Sequence, residues 1–459
     1  AAAFLLYGGA QNPKIAEARL KNRLPRKELW KLGISGDFPI VTLRLTEMAD
    51  APLLEESVKA LAFWKQHGIR ADLVVFCDEP ASYDRPVFQM AEKKKSGSMF
   101  ILGRSDMNAS DQTLLLAAST LYIESGSGGF AALPAYKDLP KEKMPQASFA
   151  EGDLPPISLL FDNGFGGFSK EAEEYVIHMT EAGETPLPWT HVVANPYFGF
   201  LAGEGGSGYT WSENSQSFRI SPWSNDPVLD PLSERLTISE KEDIWSPMAA
   251  TFPEKGNFRT RYGAGYVIYE RNTRGILHTV TLFTPPEKAQ KIIALSLKND
   301  SDTTRELTLE YAFLPILGTH INPDAVTVLE KENCLRIRNA LENGEKEVYI
   351  KAFGDAHYGQ RGRHVFAKTT LRLKPREEKN VSFVLGVGTV EDVDAETALS
   401  ATKQYWDSLL HTVSVETGHA PTDLLMNTWL VYQATACRLF ARSAFYQSGG
   451  AFGFRDQLQ

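Results

Sequence analysis

From Ile157 to about Thr389 the chain repeats short runs of β-branched and aromatic residues broken by Gly, Asn and Asp. No other feature limits its fold as much. Examples are Gly265 to Glu270, Ile276 to Phe283, Lys291 to Leu297, Glu306 to Phe313, Cys334 to Arg338, Glu347 to Ala352 and Val381 to Leu385. Runs of this length suit strands, and many of them with turn residues between predict a large β-sandwich. Upstream the pattern alternates. Pro13 to Lys31, Leu53 to His67 and Asp111 to Ala118 read as helices; Phe38 to Leu45, Ala71 to Phe76 and Met99 to Leu102 read as strands. Strands joined by helical crossovers predict an α/β module containing parallel pairs.

The fold class expected is therefore multidomain α+β, which suits 459 residues, more than one core usually organises. The expected divisions are an α/β module over 1–133, a proline-rich linker over 134–156, a β-sandwich over 157–390, a helical linker over 391–419 and the opening of an all-α domain over 420–459. No run approaches 18 apolar residues, so no membrane span is expected. The chain starts without a basic leader and stops at Arg455 to Gln459 without a cap, so both ends read as cuts in a longer polypeptide. Cys77, Cys334 and Cys437 form no zinc or disulfide spacing, which favours a reducing, cytoplasmic setting. A formal charge of -9 argues against nucleic acid as a partner, since phosphates need clustered Lys and Arg. The basic run Lys93 to Lys95 reads as a solvated helix end.

Two regions could carry chemistry. Between Asn163 and Asp230, glycines and prolines mix with Trp189, Tyr197, Tyr209, Trp211, Asn214 and Trp223. Such residues can shape turns and fill a core; they are also what a sugar needs, with aromatic faces for its C–H groups and amides for its hydroxyls. The second region holds Arg438, Arg442, Ser443, Gln447, Arg455 and Asp456. Arg438 and Arg442 are four apart and would share a helix face, where two guanidiniums could grip phosphate or pair with an acid such as Asp456. The nine histidines contain no His-Glu-x-x-His, and neither a nucleophile elbow nor a phosphate-binding Gly-Lys-Ser/Thr loop occurs. No metal or cofactor is expected.

The stretch Ile157 to Gln459 resembles the cellobiose and chitobiose phosphorylases of glycoside hydrolase family ninety-four, and within them the branch containing 1,2-β-oligoglucan phosphorylase and the C-terminal half of cyclic β-1,2-glucan synthase. Thr185 to Trp189, Ala194 to Phe200, Gly206 to Ser212, Pro222 to Pro227 and Tyr432 to Asp456 carry the likeness, and Trp30 to Asp37 also looks like that branch. The resemblance implies a β-sandwich, a helical linker and an (α/α)6 barrel that begins in 420–459. It implies phosphorolysis of a β-glucosidic bond with inversion, giving α-glucose 1-phosphate. Arg442 would contact phosphate, Asp456 would hold donor-sugar hydroxyls, and Arg455 would support its loop. Trp211 and Asn214 are expected to touch substrate. The general-acid Asp is expected beyond Gln459, so no catalytic residue is assigned and residues 1–459 alone are expected to be inactive. The loop Ser448 to Gly453 is shorter than in relatives and lacks their donor-site arginine, which favours β-1,2-glucan over cellobiose or chitobiose. Expected partners are a β-glucan oligosaccharide, inorganic phosphate or glucose 1-phosphate, the rest of the polypeptide, and a second copy as a homodimer. The alternatives are the phosphorylase-like module of a membrane-bound cyclic glucan synthase and a non-catalytic glucan-binding piece.

Overall fold

A computed structural model describes residues 1–8, 12–80, 83–136, 151–170, 174–180, 185–223, 232–252, 256–319, 322–342 and 346–442. They fall into two units.

The first unit comprises Ala1–Pro140 with Asn322–Thr327 and Arg338–Lys346. Its strands β1 (Ile40–Leu45), β2 (Asp72–Cys77), β3 (Met99–Gly103) and β4 (Ser119–Glu124) form a sheet in the order β3-β2-β1-β4. Every pairing is parallel, as the strand–helix alternation predicts. Helices α1 (Ala2–Tyr7), α2 (Pro13–Lys21), α3 (Ala51–Gln66), α4 (Pro86–Lys93) and α5 (Ala109–Ala118) complete the unit. Because side chains alternate along a strand, Val41, Leu43, Leu73 and Val75 pack on Leu54 and Leu61 of α3 and Val87 of α4. Ile40, Val74 and Phe76 instead meet Leu114 and Leu115 of α5 and Ala18 of α2. Lys93 to Lys95 end α4 as an exposed face.

The single helix expected over Pro13 to Lys31 is divided. Asn12 caps α2 by accepting the N–H groups of Lys14 and Ile15. At its end the Asn22 side chain donates to Leu24 O and, 318 residues away in sequence, to Ala340 O. Pro25 then starts a 3₁₀ turn over Arg26–Leu32. Short-range charge patterning carries no sign of a tie that distant.

The second unit holds the remaining strands, except that residues 326–327 of β18 and 338–339 of β19 belong to the first: β5 (Leu159–Leu160), β6 (Gly166–Ser169), β7 (Tyr175–Met179), β8 (Thr190–Ala194), β9 (Phe198–Gly203), β10 (Gly208–Ser212), β11 (Glu234–Glu240), β12 (Asp243–Trp245), β13 (Phe258–Gly263), β14 (Tyr266–Thr273), β15 (Ile276–Phe283), β16 (Gln290–Asn299), β17 (Arg305–Phe313), β18 (Val326–Lys331), β19 (Cys334–Asn339), β20 (Val348–Ala352), β21 (Ala356–Arg361), β22 (His364–Leu373) and β23 (Glu378–Val387). They build an eleven-stranded sheet, β18-β19-β20-β23-β16-β15-β14-β13-β7-β6-β5, a five-stranded sheet, β12-β11-β17-β22-β21, and a three-stranded sheet, β10-β9-β8. Strand β17 shows the amphipathic rule: Leu307, Leu309, Tyr311 and Phe313 are buried, and Glu306 between the first of them and Arg305 is exposed. Helix α6 (Ala395–Leu410) follows, and residues 420–440 form a last helix, α7, in which Leu425–Trp429 and Ala434–Phe440 wind as π-helix. The expectation of a barrel starting at 420 falls partly on 443–459, which lie outside the described residues. No helix among the described residues is long and apolar enough to cross a membrane.

Candidate active-site approach

The course of α7 decides where Arg442 lies, and aromatic residues hold that helix. The Tyr432 hydroxyl donates to Val192 O of β8 at 2.7 Å, and its ring meets Trp406 of α6 edge-on at 4.6 Å. His191 stacks against Tyr432, Tyr262 and Trp429 with centroids 5.0, 4.9 and 5.7 Å away. Its Nε2 lies 2.9 Å from Gly263 O, so it is the donor there. Burial lowers the imidazole pKa to about 4, against the opposing pull of that carbonyl, and the ring is neutral at pH 7. It therefore acts as an anchor rather than a proton carrier.

One turn later Ala436, Cys437 and Ala441 enter a core shared with Val192, Leu201, Tyr209 and Trp211. Burial pushes the Cys437 thiol up to about 12, and Cys77 of the first unit likewise, so neither supplies a thiolate at neutral pH. Ala441 N–H reaches back five residues to Ala436 O, and at Arg442 the backbone turns left-handed with φ 54°. A non-glycine residue there is uncommon and is held by its surroundings. The predicted shared face of Arg438 and Arg442 is corrected by this geometry. Their four-residue spacing aligns side chains only on an α-helix, whereas Arg438 lies in a π-turn and Arg442 lies past the helix end.

Two residues expected to touch substrate have partners within the protein. Trp211 is 2% exposed and packs 5.1 Å from Tyr209, which in turn stacks on Trp223. A Cβ on Gly199 of the neighbouring strand would sit 2.5 Å from its ring. Trp211 is thus part of the core. Asn214 is half-buried, and its Oδ1 accepts the N–H groups of Gln216 and Ser217, an Asx turn after the left-handed Glu213. The expected ligands Arg455 and Asp456 lie outside the described residues, as does the loop Ser448 to Gly453.

Other aromatics of the same region keep accessible surface, among them Tyr197, which is 52% exposed. Phe165 is 36% exposed and lies 6.1 Å from Trp189, which is 5.8 Å from Tyr175. Phe168 joins Tyr175 to Trp429 of α7. Trp189 stands in one of the motifs quoted for the family resemblance, but local composition does not separate an aromatic with an open edge from one that is sealed. Among the described residues no cluster of His, Cys, Asp and Glu is arranged to hold a metal.

Residues 173–353 match the supersandwich domain of glycosyl hydrolase 94, and residues 405–459 match the catalytic domain of the glycosyl hydrolase 94 superfamily. The cyclic beta-(1,2)-glucan synthase NdvB of Rhizobium meliloti (strain 1021) is 28% identical over 99% of this chain and 19% of its own length. The N,N'-diacetylchitobiose phosphorylase of Vibrio proteolyticus is 23% identical over 64% of this chain and 44% of its own. The chain thus spans less than half the length of these relatives. A bacterial glucoamylase in complex with acarbose aligns with 55% of this chain and 43% of its own at 8% identity and a TM-score of 0.35, too low to argue from.

Proposed function

We propose, given that the chain belongs to the glycosyl hydrolase 94 family, that it forms part of an inverting phosphorylase of β-linked gluco-oligosaccharides. The observation that carries this reading is the joint presence of the supersandwich and catalytic segments in one chain, with α7 leading directly to Arg442. An inverting hydrolase needs one carboxyl to protonate the leaving oxygen and a second to activate water. Phosphate arrives as an anion, so an arginine fork that orients it replaces the second carboxyl. In this reading Arg442 grips phosphate, Asp456 holds donor-sugar hydroxyls with Arg455 beside it, and the general acid comes from outside residues 1–459.

The β-1,2 linkage is supported by the extent of the likenesses. The glucan synthase aligns with 99% of the chain, including the α/β unit, whereas the chitobiose phosphorylase aligns with 64%. The same likeness supports a second reading, in which the chain is the phosphorylase-like module of a membrane-bound synthase. The gene upstream of Ala1 distinguishes them, since a glycosyltransferase region with transmembrane helices decides for the synthase.

The test is to incubate the parent polypeptide with β-1,2-gluco-oligosaccharides and inorganic phosphate. Release of α-glucose 1-phosphate that needs phosphate supports the reading, and Arg442→Ala should raise the KM for phosphate. Sugar release independent of phosphate overturns it. Residues 1–459 alone are expected to show no turnover.

A further inference from the structure

The α/β unit contains a cavity of about 280 Å³ that the phosphorylase reading does not use. Its place follows from topology. The sheet order β3-β2-β1-β4 reverses between β1 and β4, and α5 crosses on the face opposite α3 and α4. In open parallel sheets, ligands bind outside the carboxyl ends of the strands where the order reverses. The cavity lies there, lined by Thr42 and Arg44 of β1, Phe76 and Asp78 at the end of β2, Tyr122 of β4 and Gln112 of α5.

Every charged residue of the lining, Lys14, Arg44 and Asp78, is already paired within the protein. Arg44 Nε donates to Asp78 Oδ2 at 3.0 Å, and its Nη1 reaches Glu124 Oε2 at 3.5 Å. Lys14 of α2 bridges to Glu124 at 2.5 Å, and the Tyr122 hydroxyl donates to the same carboxylate at 2.9 Å. Burial raises the Glu124 pKa, but the Lys14 and Tyr122 hydrogen bonds outweigh it and hold the group ionised. Beneath this rim the floor is apolar: Phe76, Met107 and Leu115 are buried.

We propose that this cavity is a second ligand site, and that it takes a neutral sugar ring. A charged ligand would have to break an ion pair already made, leaving a partner uncompensated. A hydroxyl-bearing ring asks for no such exchange. Its hydroxyls donate to Asp78 and accept from Gln112, while its C–H face covers Phe76 and Leu115. The volume stands at the small end of ligand cavities, about 300–1,000 Å³, and so fits one ring rather than a chain. The cavity is lined by residues of the first unit alone, and the proposal does not depend on the roles read for Arg442 and Asp456.

Calorimetric titration of the whole chain with D-glucose tests this, alongside glucose 1-phosphate and alanine as anionic and zwitterionic probes. Glucose is expected to bind the parent chain and the Arg442→Ala and Asp456→Ala variants alike. Gln112→Ala should weaken it at least tenfold, and Leu116→Trp, which fills the cavity from its edge, should abolish it; circular dichroism verifies that both variants fold. Loss of glucose binding only in the Arg442 or Asp456 variants overturns the proposal. So does preferential binding of glucose 1-phosphate or alanine that Gln112→Ala removes, and so does the absence of glucose binding altogether.

Discussion

Lys291 and Glu234 of the second unit meet at 2.7 Å with side chains 5% and 9% exposed, whereas Arg44 and Asp78 of the α/β unit meet with side chains 36% and 13% exposed. Both are cation–carboxylate pairs, but they have opposite surroundings. Glu234 also accepts from Thr210, Ser221 and Tyr311, and Lys291 lies over the Phe200 ring, so every side of the pair is occupied by protein. Arg44 and Asp78 border a cavity and retain one side toward solvent. A sealed pair holds sheets in register, and a pair at the mouth of a cleft can still exchange hydrogen bonds with a ligand. Exposure, rather than residue type, separates the two uses.

The sealed pair provides the most severe way to break this contrast. Lys291→Met leaves Glu234 buried without its cation, and about 3–5 kcal/mol should be lost in urea unfolding. The double variant with Glu234→Leu should recover most of that loss, because the uncompensated charge is gone. If Lys291→Met unfolds like the parent chain, the pair is not the clamp described.

The second break is by pH. Burial lowers the His278 pKa to about 3, and its Nε2 accepts the Trp245 indole N–H at 3.0 Å, a bond that protonation would destroy. His191 stands at about 4. Both values lie below that of the unfolded chain, near 6.5. Each ring therefore contributes its full stability above pH 6.5 and loses it as pH falls toward its folded value. The cost is on the order of 1.4 kcal/mol per pH unit per histidine. Unfolding midpoints between pH 7 and 4 should fall with this slope, and His191→Phe should flatten it.

A smaller effect is expected at Gly265, where φ is +83° and an added Cβ would lie 2.2 Å from Trp406. Gly265→Ala should cost about 1–3 kcal/mol by crowding that indole, read as a lowered Tm with loss of near-ultraviolet tryptophan signal. The smallest is Lys94→Ala. Its pair with Glu55 has both side chains 49% exposed, so removal should shift the Tm least of all these variants. A larger change would remove exposure as the deciding variable.

Much of the strand architecture was legible in the sequence because burial imposes a period of two. Ile276–Phe283 is a strand over the very residues that the pattern marks, and the parallel pairing of β1 and β2 follows from the helix between them. Strand β4 was not legible, because Ser119 ends α5 and begins the strand with no turn residue between them. The site was less legible than the fold. Trp211 and Asn214 have the composition of a sugar surface, but residues as distant in sequence as Tyr432 and Cys437 make one of them core, while the other closes a local turn on Gln216 and Ser217. The spacing of Arg438 and Arg442 presumed an α-helix where the chain winds wider. The polar cleft of the α/β unit gives no local signal, since its residues come from two helices and three strands.

The segments Asn322–Thr327 and Arg338–Lys346 belong to the first unit although the chain reaches them only after most of the second has been laid down. Ala325 and Leu341 are part of the first unit's core, and Arg338 donates to the carbonyls of Arg19, Leu20 and Asn22. The α/β unit is therefore not a cassette. A gene cut at residue 133 would yield a module missing a wall, so transplanting it into another protein requires the later segments too. For the same reason an insertion or frameshift near residue 340 would injure a domain that the linear map places two hundred residues earlier.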